Sequence, residues 1–125
     1  MLPDREGGEL LIVGDLHGHF DAQDIRFLDE RRAELVVFVG DLGDEDPGLT
    51  ERVCEVRAPK VVLLGNHDAW ESFRHDAPSA SLQQSLELLG DFHLAYRKIE
   101  LPRLGVTLLG ARPFSWGGPS LRSAP

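Results

Sequence analysis

Three short apolar runs divide the first half of the chain, and each ends in a glycine followed by a polar residue. The runs cover residues 10–13, 35–39 and 61–64, and they are hydrophobic throughout rather than alternating with polar residues. Continuous hydrophobicity is typical of strands that are covered on both faces, as in a parallel sheet. The pattern therefore predicts three buried strands.

Between these strands, apolar side chains recur at the spacing of a helix. In the first connection Ala22, Ile25 and Leu28 share one helix face, and Asp21 can cap the start. The second connection repeats the helical pattern from Pro47 onward. The order strand, helix, strand, helix, strand is the βαβαβ signature of a parallel sheet, so we predict an α/β fold with a parallel core.

The second half of the chain has a different pattern. It predicts a helix over residues 81–89, in which Ser81 and Gln84 have the spacing of a capping box. Two further strands are predicted over residues 92–96 and 105–109. The remaining residues are rich in glycine and proline, and they predict no regular structure.

Length and composition restrict the kind of protein further. The 125 residues suit one domain over 1–125, with 42% hydrophobic and 27% charged residues. The net charge is −8 and no block of lysine or arginine interrupts it, so we expect no binding to a nucleic-acid backbone. The single cysteine, Cys54, excludes an internal disulfide, and we expect it to pack in a helix. No apolar run is long enough to cross a membrane and no signal peptide is recognisable, so we expect a cytoplasmic protein.

Polar side chains of three chemistries follow the predicted strands. In open α/β sheets, ligands bind outside the carboxyl ends of the strands, so we expect the three polar clusters to converge. An aspartate after a glycine is often only a turn residue or a helix cap, so one cluster alone would indicate little. The candidate site residues are Asp15, His17, Asp41, Asp44, Asn66, His67 and Asp68.

The clusters read D-x-H, G-D-x-x-D and G-N-H-D in this order, and together they resemble the calcineurin-like metallophosphoesterases. The resemblance covers roughly residues 10–70, and the later stretch RPFSWGGP is similar to a bacterial and plastid subgroup. It implies a chain that corresponds to the N-terminal half of a four-layer α-β-β-α sandwich.

The resemblance also implies a dinuclear metal centre with Asp15, His17, Asp41 and Asn66 as ligands. Several aspartates in one crevice repel one another, and divalent cations remove that penalty. Asp41 is the natural bridge between two ions, and Asn66 offers an amide oxygen to one of them. Mixed imidazole and carboxylate ligands suit Mn, Fe or Zn, with Mg as a further option. Asp44 either supports a ligand or is simply solvated.

The reaction implied by the resemblance is attack of a bridging hydroxide on a phosphomonoester or phosphodiester. His67 would face the substrate and stabilise the transition state or protonate the leaving oxygen, and Asp68 would orient its ring. Glu45 and Asp46 stand where protein phosphatases of the family have an arginine, so we expect a small phosphoester substrate. We expect both acids to be surface charge.

Other residues with metal-binding or aromatic side chains have simpler interpretations. His19, His75 and His93 are expected to be exposed or hydrogen-bonded histidines rather than ligands. Trp70, Trp116 and Phe114 are expected to pack, although they could line the crevice.

Complete members of the family continue with a ligand histidine and a G-H-x-H pair, and this chain has neither after His67. We therefore expect it to be the N-terminal portion of a longer enzyme, with the missing strands cut away or supplied by another chain. A natural short form is the alternative. In either case we expect weak binding of the second metal and little or no turnover by these residues alone.

Two other functions compete with the phosphoesterase. A catalytically incompetent fragment or interaction module that binds metal weakly is favoured by the missing histidines. An aspartyl-phosphate enzyme or receiver domain would also place acids at strand ends. His17 argues against the aspartyl-phosphate enzyme, which needs a D-x-D pattern after its first strand. Lys98 argues against the receiver domain, because it is not at a strand end where a receiver needs its lysine.

Overall fold

A three-stranded parallel sheet forms the centre of the structure. The computed structural model describes residues 8–75 and 77–112. The strands are β1 (Leu10–Val13), β2 (Leu35–Val39) and β3 (Lys60–Leu63), and they lie side by side in that order. All three predicted strands are confirmed, the third displaced by one residue toward the N-terminus. Both pairings are parallel, which confirms the α/β fold class.

Two helices connect these strands. Helix α1 (Ala22–Arg31) begins with a complete capping box, in which the Asp21 carboxylate accepts hydrogen bonds from two backbone amides. Helix α2 (Pro47–Cys54) has Asp46 as its N-cap, with the carboxylate 3.0 Å from the amide nitrogen of Gly48. The prediction for Asp21 is confirmed. Asp46 was expected to be simple surface charge and instead stabilises the start of α2.

Two short helices follow the parallel sheet. A single 3₁₀ turn (His67–Ala69) leads directly into α3 (Trp70–His75), and α4 (Ala80–Leu89) comes next. The predicted capping box at Ser81 is wrong because the helix begins earlier. Ser79 is the N-cap, and its hydroxyl accepts a hydrogen bond from the Leu82 amide at 3.0 Å.

An antiparallel hairpin completes the described structure. Its strands are β4 (Lys98–Leu101) and β5 (Val106–Leu109), and only β5 was predicted. The predicted strand over 92–96 is wrong. A 3₁₀ turn ends at Phe92, a single bridge joins the next residue to β3, and the left-handed backbone of Tyr96 (φ 58°) ends the extended segment.

Both faces of the parallel sheet are covered, which explains why its strands are hydrophobic throughout. Val36, Phe38 and Val62 are fully buried on the face that packs against the helices. Val37 and Leu94 belong to a second cluster that includes apolar residues of the hairpin. Complete burial of such side chains is worth about 1.5–3 kcal/mol each, so this double covering fixes the positions of the strand ends.

The environment of Cys54 and the lengths of the helices both bear on predictions made from the sequence. Cys54 packs against the helix-covered core, and its sulfur lies 3.7 Å from the carbonyl oxygen of Leu88, which agrees with a packing role. Within the described part of the chain, each helix is too short or too polar to cross a membrane.

Candidate metal centre

The loops that follow β1 and β2 run side by side beyond the end of the sheet. The amide of Asp15 donates to the carbonyl of Gly40 at 3.3 Å, and the amide of His17 donates to the carbonyl of Asp41 at 3.1 Å. The parallel pairing of the strands therefore continues into the loops. This brings the first two polar clusters together, as the strand-end argument predicted.

Asp15, His17 and Asp41 form one compact group. Each contributes a carboxylate oxygen or imidazole nitrogen, and these three atoms all lie within 4.8 Å of one another. Nε2 of His17 lies 2.5 Å from Oδ1 of Asp15. Asp15 and His17 are exposed, whereas Asp41 is half-buried. Two carboxylates and an imidazole at this spacing fit a divalent transition metal.

The same three residues have left-handed backbone conformations. The φ angles are 59° for Asp15, 47° for His17 and 51° for Asp41. Residues other than glycine adopt this region at a cost of about 1–2 kcal/mol each. Strain of this kind persists only where the surrounding structure holds it in place, and it is concentrated at functional sites. The hydrogen bonds between the two loops provide that restraint.

The third loop approaches the first two because of a glycine. A Cβ atom on Gly65 would overlap both the backbone nitrogen and Oδ1 of Asp41. Gly40, with φ of 95°, also has little room, since a Cβ there would lie 3.0 Å from the Cα atom of Gly65. The amide of His67 then donates to Oδ1 of Asp41 at 3.0 Å. The glycines before Asp41 and before Asn66 thus permit the close contact between loops.

Asn66 stands between two residues that contact Asp41. It is exposed, and its side chain makes no hydrogen bond with the described residues. Its amide oxygen is consequently free to bind an ion, and its role as a ligand stays a prediction.

The ring of His67 is restrained by three neighbours. Nδ1 lies 3.0 Å from Oδ1 of Asp44. The ring meets that of His17 edge to face, with centroids 5.0 Å apart, and is stacked parallel to Trp70 at 5.1 Å. His67 is therefore held next to the Asp15–His17–Asp41 group with a fixed ring plane.

Asp68 has a different position from the one predicted. It is buried, and its carboxylate accepts hydrogen bonds from the amides of Leu42 (3.2 Å), Gly43 (3.0 Å) and Gly65 (2.8 Å). The prediction that Asp68 orients the ring of His67 is wrong, because its carboxylate turns toward these amides and Asp44 contacts the ring.

The contacts of Asp68 tie the second and third loops together. Burial raises the pKa of Asp68, an effect that the three amide donors oppose and the nearby charge of Asp41 reinforces. The carboxyl group is therefore a structural link beneath the site, placed where it accepts backbone hydrogen bonds.

Glu45 is a residue that the sequence argument missed. It is buried, and its carboxylate accepts hydrogen bonds from the amide of Ser72 at 2.7 Å and the hydroxyl of Ser79 at 2.5 Å. Its own amide donates to the carbonyl of His67 at 3.1 Å. The expectation of surface charge is wrong, because its side-chain partners lie 27 and 34 residues away and no local pattern signals them.

The remaining histidines and aromatic residues lie outside the compact group. His19 and His75 are exposed. His93 is half-buried, its Nε2 has no partner among the described residues, and burial lowers its pKa. Phe114 and Trp116 are outside the residues that the structure describes, as is most of the RPFSWGGP stretch.

Comparison with protein families agrees with this geometry. The family model described as calcineurin-like phosphoesterase matches residues 9–115, a range that includes all three loops. No curated protein and no solved structure gave a match. The resemblance to a bacterial and plastid subgroup stays a prediction. From the family match and the convergence of its three motifs, this chain belongs to the calcineurin-like phosphoesterase family.

Proposed function

We propose that this chain forms the metal-binding part of a phosphoesterase that hydrolyses phosphomonoesters or phosphodiesters at a dinuclear centre. The observation on which the proposal depends is the meeting of Asp15, His17 and Asp41 within 4.8 Å. Family membership makes hydrolysis of a phosphoester the corresponding reaction.

The residues present fit divalent cations. Asp15, His17 and Asp41 would hold one ion, and Asn66 would contribute its amide oxygen to a second ion that shares Asp41. When bound, such ions supply Lewis-acid polarisation of the phosphoryl group and make a water molecule more acidic. Mn²⁺ is the first choice for a test, with Fe, Zn and Mg as alternatives.

In this proposal His67 would serve the leaving group. Because the carboxylate of Asp44 faces Nδ1, the Nε2 atom is the nitrogen left for a substrate. When both ring nitrogens carry a proton, the one at Nε2 can be given to the leaving oxygen as its bond to phosphorus breaks, and the ring keeps the Nδ1 proton that Asp44 accepts. Asp44 fixes the tautomer and the ring plane, which is the role that the sequence argument assigned to Asp68.

A small phosphoester is the substrate class that this site favours. Among the hydrogen bonds and ion pairs of the described residues, none joins Asp15, Asp41 or Asn66 to a lysine or arginine. The side chain of Glu45 is directed into the protein, so it neither grips nor repels a phosphate directly. Recognition of phosphate would therefore depend mainly on the bound cations.

A metal-binding interaction module is the second candidate. It is favoured by the number of ligands, since the described residues provide a single three-residue group of metal-binding side chains. Binding without turnover is the property that distinguishes this candidate from the enzyme.

Metal binding and hydrolysis should be measured on the same samples. We expect calorimetry to show Mn²⁺ binding that Asp41→Asn weakens by at least about tenfold, with slow Mn²⁺-dependent hydrolysis of p-nitrophenyl phosphate or its bis-ester. Asp91→Asn is the matched control, because that carboxylate is exposed and makes no hydrogen bond with the described residues. Hydrolysis that is unchanged in Asp41→Asn would contradict the proposal. Metal binding with no hydrolysis of either ester would favour the interaction module.

A further inference from the structure

Three aromatic rings form a row that starts at the metal-competent group and ends at the surface. His17 belongs to that group, and its ring contacts His67 with centroids 5.0 Å apart. His67 in turn is stacked on Trp70, with centroids 5.1 Å apart and ring planes within 7° of parallel. The indole therefore lies immediately beyond the histidine that faces the leaving group.

Trp70 is held in this position while much of its surface remains exposed. It is 48% exposed, and its indole N–H makes no hydrogen bond with the described residues. Its backbone follows directly from the fully buried Ala69 and from Asp68, whose carboxylate binds three amides of the neighbouring loops. The exposed part of the indole, next to His67, is therefore available to stack on a flat ligand.

We infer that Trp70 is a stacking surface for the leaving group, and that the enzyme prefers phosphoesters whose leaving group is a planar aromatic. This inference depends on the proposed function. A phosphoryl group held by cations bound at Asp15, His17 and Asp41 would lie close to His67, whose ring contacts His17, and the rest of the leaving group could then contact the indole stacked on His67. A nucleobase and a substituted phenyl ring share the required chemistry, a flat π surface.

The alternative role for Trp70 is to pack against His67 and nothing more. The two roles differ in selectivity. A packing residue would act through His67, so its loss would affect glycerol 3-phosphate, whose leaving oxygen needs a proton, at least as much as the other esters. A stacking surface would affect most strongly the esters whose leaving group carries an aromatic ring. Stacking of a base on an aromatic side chain is worth about 1–3 kcal/mol, which corresponds to about 5- to 150-fold in affinity.

The test compares Trp70→Leu and Trp70→Phe with the unmodified chain on p-nitrophenyl phosphate, AMP and glycerol 3-phosphate in the presence of Mn²⁺. We expect Trp70→Leu to lower kcat/KM for p-nitrophenyl phosphate and AMP by a factor about 5- to 150-fold larger than for glycerol 3-phosphate. Trp70→Phe should keep most of the preference for esters whose leaving group carries an aromatic ring, because phenylalanine retains a flat ring. Phe27→Leu is the matched control, since Phe27 is 59% exposed on α1. A loss for glycerol 3-phosphate that equals or exceeds the losses for the other two esters, or no loss for any ester, would overturn the inference. A loss for only one of the aromatic esters would restrict the leaving group to a nucleobase or to a phenyl ring and would support it.

Binding measured without turnover separates this inference from the proposed function. Calorimetry of AMP and of ribose 5-phosphate with the Mn²⁺-loaded protein should show tighter binding of AMP, and Trp70→Leu should abolish the difference. That result supports a stacking role even where no ester is hydrolysed. AMP binding that does not exceed ribose 5-phosphate binding, or that is unaffected by Trp70→Leu, overturns it. Thermal unfolding of both variants checks that they are folded.

Discussion

Oδ1 of Asp44 lies 3.0 Å from Nδ1 of His67, although 23 residues separate them in the sequence. Asp68 is adjacent to His67 in the chain, yet its carboxylate binds backbone amides beneath the loops. The neighbour in space and the neighbour in sequence thus have separate roles. Asp44 sets the orientation of the imidazole, and Asp68 holds together the loops that position His67.

Removal of the Asp44 carboxylate should affect proton transfer rather than metal binding. We expect Asp44→Ala to lower kcat by about 10- to 100-fold, because the ring of His67 loses the partner that fixes its tautomer. The loss should be larger for glycerol 3-phosphate than for p-nitrophenyl phosphate, whose leaving group scarcely needs a proton. Affinity for Mn²⁺, measured by calorimetry, should change less than about twofold. Glu51→Gln, an exposed acid on α2, is the control. Equal losses on both esters would exclude this role.

A methyl group at Gly65 should damage the metal centre directly. Its Cβ would overlap Asp41, so we expect Gly65→Ala to cost about 1–3 kcal/mol of stability and to weaken Mn²⁺ binding strongly. Gly105→Ala is the control. It has a positive φ of 65° but nothing within 4 Å of the added atom, so it should cost only about 1 kcal/mol and leave metal affinity intact. Urea unfolding measures the stability of both variants, and Mn²⁺ titration measures their metal affinity. Similar metal affinities in the two variants would contradict the steric argument.

The parallel core was predictable because its signals are local. Each predicted strand is a continuous apolar run ended by glycine, and Asp21 caps α1 through amides two and three residues away. The segment near Tyr96 was wrongly predicted because it contains apolar residues at strand-like spacing. Its conformation is decided by a bridge to β3 and by pairing of the following residues with β5, and neither contact is visible in a single sequence.

The same difference between local signals and long-range contacts decides which parts of the candidate site could be predicted. The convergence of Asp15, His17 and Asp41 follows from topology, since parallel strands place their carboxyl ends at one edge. The partners of Glu45 and Asp68 could not be predicted, because both carboxylates bind backbone amides more than 20 residues away in the sequence. Every residue type except proline has a backbone N–H group, so the sequence does not indicate which of them a buried acid will bind.

The buried carboxylate of Glu45 should stabilise the arrangement of α3 and α4. We expect Glu45→Ala to reduce the free energy of unfolding by roughly 1–3 kcal/mol, because the amide of Ser72 and the hydroxyl of Ser79 both lose an acceptor. Glu55→Ala, an exposed acid at the end of α2, should be nearly neutral. Urea unfolding measures both variants. If Glu45→Ala is as neutral as its control, the buried network contributes nothing to stability.

His93 should make the stability of the protein depend on pH below neutrality. Burial lowers its pKa in the folded protein from the ordinary value of 6.5, so the folded state holds the neutral ring while the unfolded chain accepts a proton. The unfolded state therefore binds more protons in this window. The contribution of His93 to stability is complete above about pH 6.5 and is lost as the pH falls through the lowered pKa. We expect His93→Gln to remove this part of the dependence, measured by urea unfolding in EDTA at about pH 7.5, 6.5 and 5.5. His19→Gln, at an exposed position, is the control. The same pH dependence in His93→Gln and the unmodified chain would show that burial of this ring does not affect folding.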